Sequence, residues 1–103
     1  MSEWFALAQA GDIPPGQCRA FDIDGRMIAV VNLDGEYHAI DNICTHAYAE
    51  LSDGMIIGDQ IQCPLHGARF SILTGAVTAP PAYEPLNTYP VRVNEGGIEV
   101  QLD

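Results

Sequence analysis

Apolar residues along this chain come in short runs, interrupted at close intervals by Gly, Pro, Asp and Asn, and no segment sustains a helical apolar period. Ten glycines and seven prolines are spread throughout, which favours short strands and turns. Residues 26–33 (RMIAVVNL) are rich in strand formers and follow Asp24-Gly25, a strong hairpin dipeptide. Asp34-Gly35 then turns the chain into residues 36–41, a second hairpin, in which Tyr37, Ala39 and Asp41 face one way and His38 and Ile40 the other. Glu95-Gly96-Gly97 separates residues 88–93 from 98–102 and predicts a third hairpin; Pro90, which lacks an N–H, calls for an edge or a bulge there. Residues 1–7 read as the start of a first strand. Cys18, beside Arg19, is expected in a further strand as a small packing residue, and His38 as a half-exposed strand residue.

Between about residues 42 and 71 this pattern breaks. The stretch holds two of the three cysteines, two of the three histidines, Pro64, and glycines at 54, 58 and 67. Residues 59–62 read as a short strand inside it. The expected fold is therefore all-β: a small antiparallel β-barrel or sandwich base with a lobe inserted at about 42–71. At 103 residues, the whole chain (1–103) makes one domain with one core.

The lobe carries the chemistry. Cys44-Thr45-His46 is followed, after a sixteen-residue gap, by Cys63-Pro64-Leu65-His66. Each segment offers one thiol and one imidazole. A single tetrahedral zinc is one reading of four such ligands, although Cys2His2 zinc sites usually keep like residues together. Evenly mixed loops suit a two-iron centre better, with Cys44 and Cys63 on one iron and His46 and His66 on the other, the His-ligated form of a 2Fe–2S cluster. An all-cysteine cluster needs four thiolates, and the chain has three.

The runs Ile43-Cys44-Thr45-His46, Leu51-Ser52-Asp53-Gly54 and Cys63-Pro64-Leu65-His66-Gly67, with the later Thr74-Gly75, resemble a Rieske-type ferredoxin. The nearest resemblance is to the small ferredoxins of bacterial aromatic-ring-hydroxylating dioxygenase systems, over residues 4–102. Ala47 departs from it, since glycine is common there. The resemblance implies the Rieske fold, one 2Fe–2S cluster on Cys44, His46, Cys63 and His66, and one-electron transfer from an NADH-dependent flavoprotein ferredoxin reductase to a terminal oxygenase in aromatic compound catabolism. It also implies a tuning. High-potential respiratory relatives carry an extra cysteine in each loop, paired as a disulfide, and a serine and a tyrosine whose hydroxyls reach the sulfurs. This chain has Ala49 and Leu65 near the first pair of positions, and Ala68 and Phe70 at the second. A potential toward the low end of the Rieske range, roughly −150 to +300 mV, is expected. Tyr48, Leu65, Gly67 and Pro81 are candidates for an exposed rim around the cluster, with plain packing as their simpler role. Arg69 either pairs with a carboxylate or points to solvent.

Charge narrows the partners. Fourteen acidic residues face four arginines and no lysine, a net charge of −10. Nucleic acid is excluded as a ligand, because phosphate neutralisation needs clustered positive charge, and anionic membrane surfaces are disfavoured. Acidity keeps such a chain soluble and monomeric, or steers it onto basic partners. No apolar run reaches membrane-spanning length, the first residues lack the pattern of a signal peptide, and three cysteines suggest no disulfide framework. A monomer in a reducing cytoplasm is expected. An oxygenase is excluded by count: a mononuclear iron site needs two more histidines and a carboxylate, and only His38 remains. The alternative is a small Rieske subunit of an NADH-dependent nitrite reductase, which shares the fold.

Overall fold

A computed structural model describes residues 3–45, 48–65 and 67–102. Its strands are β1 (Glu3–Gln9), β2 (Cys18–Ile23), β3 (Arg26–Leu33), β4 (Glu36–Asp41), β5 (Met55–Ile57), β6 (Gln60–Gln62), β7 (Arg69–Ser71), β8 (Val77–Ala79), β9 (Thr88–Tyr89), β10 (Val91–Asn94) and β11 (Gly97–Leu102). Among the described residues the only helical pieces are single 3-10 turns at Ala10–Asp12 and Leu51–Asp53.

The expected hairpins form because their turn residues accept positive φ. Asp24 and Gly25 sit at 51° and 84°, Asp34 and Gly35 at 54° and 95°, and Glu95 and Gly96 at 52° and 79°. Left-handed values at both central residues define the type I′ turn, whose twist matches that of the flanking strands. Side chains from the preceding strands brace two of them: Asp22 Oδ1 accepts the Gly25 N–H at 2.8 Å, and Asn32 Oδ1 accepts the Gly35 N–H at 2.8 Å.

These hairpins build two sheets of the base, in the orders β1-β11-β10 and β2-β3-β4-β9. All pairings are antiparallel. The predicted strand over 88–93 is two strands. Thr88 and Tyr89 pair with Ile40 and Ala39 of β4, whereas Val91–Asn94 pair with β11. Pro90 lies between them, where the missing N–H leaves no donor for either ladder. Its carbonyl still accepts the Gln101 N–H at 2.9 Å. The chain changes sheets at this residue.

Strand β3 runs through the middle of the molecule, and Ile28 to Asn32 are all buried. Ile28 and Val30 point into one cluster with Ile98, Val100 and Leu102 of β11 and Ala39 of β4. Ala29 and Val31 point the other way, with Ile40, into a second cluster. Two buried faces explain the unbroken apolar run in the sequence. The alternation predicted for β4 holds as well: Tyr37 and Ala39 join the first cluster and Ile40 the second. At about 1.5–3 kcal/mol for each large side chain withdrawn from water, these two clusters hold the base together.

The second cluster is where the base meets a third sheet, β5-β6-β7-β8. That sheet contributes Ile61, Phe70 and the flanking Cys63 and Ala68, and it closes over Cys44, Ala49 and Leu51 from the preceding loop. Its last strand, Val77–Ala79, lies beyond residue 71.

Candidate functional site

Strand β4 ends at Asp41, and the chain leaves it through Asn42 into a tight loop. The loop is closed by the Ile43–Glu50 bridge and by the Cys44 N–H on the Ala49 carbonyl at 2.9 Å. Cys44 is thereby turned inward, 4% exposed. The second loop leaves β6 after Gln62 and returns into β7, held by the Cys63 N–H on the Ala68 carbonyl at 2.7 Å. Cys63 is 1% exposed. The two loops bring their cysteines into one buried cluster, where the Cys44 side chain is close enough to the Cys63 thiol to influence its ionisation. Thiols nineteen positions apart in the sequence are thus neighbours in space.

The surroundings are apolar. Burial pushes the Cys63 thiol above its ordinary value; the Leu65 backbone N–H donates to it and pulls the other way, while the neighbouring Cys44 raises it again. An N–H already aimed at this sulfur is the environment that a metal-bound thiolate uses. The donor set fits a soft metal centre: two convergent sulfurs, one backbone donor, and a dry wall from Leu51, Ala68 and Phe70. Ala68 and Phe70 are fully buried, so neither position supplies a hydroxyl to the sulfurs. His46 and His66, the imidazole half of the predicted ligand set, lie outside the described residues, as does Ala47.

A third segment, residues 80–86, covers the site from the side and begins with a cis Pro80–Pro81 bond. Thr45, next to Cys44, donates its hydroxyl to the Glu84 carbonyl at 2.7 Å. Ala82 and Leu86 pack into the same core as the thiols. Gly75 allows the close approach of Leu86: a Cβ there would lie 2.2 Å from the Leu86 carbonyl oxygen. Tyr83 instead faces solvent, 86% exposed.

Of the rim candidates, Tyr48 is 90% and Leu65 46% exposed; Pro81 is exposed and Gly67 half-buried. Arg69 is half-buried and, among the described residues, pairs with no carboxylate. Its Nε donates to Gln62 Oε1 at 3.1 Å, across the β6–β7 pair. Cys18 is half-buried in β2, with Sγ 3.8 Å from the Ser52 carbonyl, and takes no part in the thiol pair. His38 is likewise half-buried on β4, 3.8 Å from Glu36. Three features of the site carry no clear mark in the sequence pattern: Asn42, the Thr45 bond to the third segment, and the exposure of Tyr83. For Tyr83 the nearest thing to a signal is an aromatic set among the prolines at 80, 81 and 85.

Comparison with known proteins agrees with this architecture. The ferredoxin component of the naphthalene 1,2-dioxygenase/salicylate 5-hydroxylase systems of Ralstonia sp is 36% identical over 97% of this chain and 96% of its own length. Among solved structures, a chain from the complex of reduced oxygenase and oxidized ferredoxin in carbazole 1,9a-dioxygenase superposes with a TM-score of 0.91 at 36% identity, over 94% of this chain and 91% of that one. A Mycobacterium tuberculosis structure, named as the small subunit of an NADH-dependent nitrite reductase, gives a TM-score of 0.89 at 26% identity over 100% and 97% of the two chains. The family model for the Rieske [2Fe-2S] domain matches residues 3–90. Paired thiols in two facing loops above a β base, together with that match, make this chain a member of the Rieske [2Fe–2S] domain family.

Proposed function

We propose that the chain is a one-electron carrier, passing electrons from an NADH-dependent flavoprotein reductase to a terminal ring-hydroxylating oxygenase. The observation that carries this reading is the convergence of Cys44 and Cys63 at the face covered by residues 80–86, in a chain similar end to end to ferredoxin components of aromatic dioxygenase systems. Cys44 and Cys63 hold one iron of a 2Fe–2S cluster, and His46 and His66 the other. Bound there, such a cluster supplies a one-electron couple, at roughly −150 to +300 mV for His-ligated centres.

The protein's own residues do the rest. Leu65 donates its N–H to the Cys63 sulfur, and Leu51, Ala68 and Phe70 exclude water from the thiols. With alanine and phenylalanine where hydroxyl donors would sit, negative charge on the sulfurs is less stabilised, and the potential falls toward the low end of the range. Tyr48, Leu65, Pro81 and Tyr83 present an uncharged, exposed surface for partner contact, while the net charge of −10 supplies long-range attraction to basic partners. Substrate chemistry belongs to the oxygenase. The chain works as a monomer in the reducing cytoplasm, where free thiols persist.

The test is stopped-flow reoxidation. The chain, reduced by NADH and a ferredoxin reductase, is mixed with the oxidised terminal oxygenase of a naphthalene- or carbazole-type system. Rapid, stoichiometric reoxidation is expected. Reoxidation only by the catalytic subunit of a nitrite reductase would overturn the assignment in favour of that system.

A further inference from the structure

Asn42 is fully buried beneath the first thiol loop, and each of its polar groups has a partner. Its N–H donates to the Met27 carbonyl at 3.0 Å, and its carbonyl accepts the Leu51 N–H at 2.6 Å. Side-chain Oδ1 accepts the Ser52 N–H at 2.9 Å, and Nδ2 donates to Glu50 Oε1 at 3.1 Å. Three consecutive residues of the returning limb, Glu50, Leu51 and Ser52, are therefore held by one residue of the departing limb. Met27 ties the same residue to the base. Cys44 lies two residues further on; beyond Asn42 the loop is closed by the Ile43–Glu50 bridge and the Cys44–Ala49 bond, and Thr45 ties its tip to Glu84.

The side chain must both donate and accept at this length. Aspartate has the shape but not the donor, leucine has neither group, and glutamine is one carbon longer. A buried polar knot satisfied in every member specifies one geometry, whereas a partly satisfied one does not.

We propose that Asn42 is the positioning residue of the first ligand loop, setting where the Cys44 sulfur stands relative to Cys63 through its paired side-chain bonds to Ser52 and Glu50. This rests on the reading of Cys44 and Cys63 as cluster ligands. It predicts that polarity across the Asn42–Glu50 bond can be reversed but not removed. Asn42→Asp sets two carboxylates against each other at a contact of 3.1 Å. Adding Glu50→Gln restores one donor and one acceptor with the roles exchanged.

The experiment compares the holo forms of wild type, Asn42→Asp, Glu50→Gln and the double variant. The readouts are the rate of cluster loss to a chelator, followed by visible absorbance, and the midpoint potential. Asn42→Asp is expected to lose its cluster at least tenfold faster than wild type, with a displaced potential, or to fail to assemble one. Glu50→Gln is expected within about twofold of wild type, and the double variant within about threefold, its potential returned toward wild type. Asn42→Asp indistinguishable from wild type, or a double variant no better than Asn42→Asp, would overturn the proposal. Failure of the wild type itself to take up iron and sulfide would instead sink the cluster reading beneath it.

Discussion

Replacing Gly54 by alanine tests how closely the two thiol loops are packed. A Cβ built on Gly54 lies 1.9 Å from the Gln62 carbonyl oxygen and 3.2 Å from that of Leu51. Ordinary contact begins at 3.4 Å, so the Gln62 limb must retreat by about 1.5 Å. Gly54 has φ −87° and ψ −161°, a conformation that alanine adopts freely, so the effect is steric and not conformational. Overpacking typically costs about 1–3 kcal/mol when side chains can shift. Here the obstacle is backbone, fixed by the Met55–Gln62 pair and immediately followed by Cys63. About 3 kcal/mol or more is expected, against a total near 5–15 kcal/mol for a domain. At roughly 4–8 °C per kcal/mol for a domain of this size, Tm should fall by about 12–24 °C, with the cluster absorbance lost early in the melt. Gly11→Ala is the control: nothing lies within 4 Å of its Cβ, and a change under about 0.5 kcal/mol is expected. Melting curves of holo Gly54→Ala and Gly11→Ala that coincide, with equal cluster content, would show that the Gln62 limb is not tightly packed against Gly54.

Further expectations follow from single contacts. Thr45→Val removes the hydroxyl that holds Glu84; it should cost about 0.5–1.5 kcal/mol and speed hydrogen exchange over residues 80–86, while Thr45→Ser should not. Burial and the Asp41 carboxylate, which accepts the Tyr89 hydroxyl proton, push the Tyr89 phenol up to about 12 from 10. The unfolded chain then ionises first, so this contribution to stability is complete below pH 10 and lost as pH rises toward 12; Tyr89→Phe should remove that part of the pH dependence. Burial, and then the Asp53 carboxylate, raise the Cys18 thiol, so alkylation at Cys18 near pH 8 should be slower than for a free thiol and faster in Asp53→Asn. Cys18→Ala should keep a full cluster, and Cys44→Ser or Cys63→Ser should not. Finally, with a net charge of −10, the rate of electron transfer to the oxygenase should fall several-fold as salt rises; a flat dependence would remove the steering role.

Much of the base was legible because its turns announce themselves. Asp24-Gly25, Asp34-Gly35 and Glu95-Gly96 adopt the positive φ values that such pairs tolerate, and strand boundaries follow. The unbroken apolar run of β3 signalled a strand, but not that it would divide two cores; that depends on which sheets cover its faces. Pro90 marked an irregularity without revealing that the chain changes sheets there. Strand β8 has three residues and, unlike the equally short β6, no ligand motif beside it to place it. At the site, the spacing of Cys44 and Cys63 marks two thiols that the fold brings into one buried cluster. Asn42 was not legible, because a buried polar knot and an exposed loop asparagine look alike in sequence. Arg69 illustrates the same limit: its partner, Gln62, is chosen by strand register and not by charge.

The reading stands or falls with a low-potential Rieske centre on Cys44, His46, Cys63 and His66. A potentiometric titration of the holo protein, followed by EPR of the reduced form on a sample assayed for metals, tests it most directly. Two irons and two sulfides per chain are expected, with a one-electron midpoint below about 0 mV, in the lower part of the window of roughly −150 to +300 mV. EPR silence with stoichiometric zinc, or a midpoint well above about 0 mV, would contradict it.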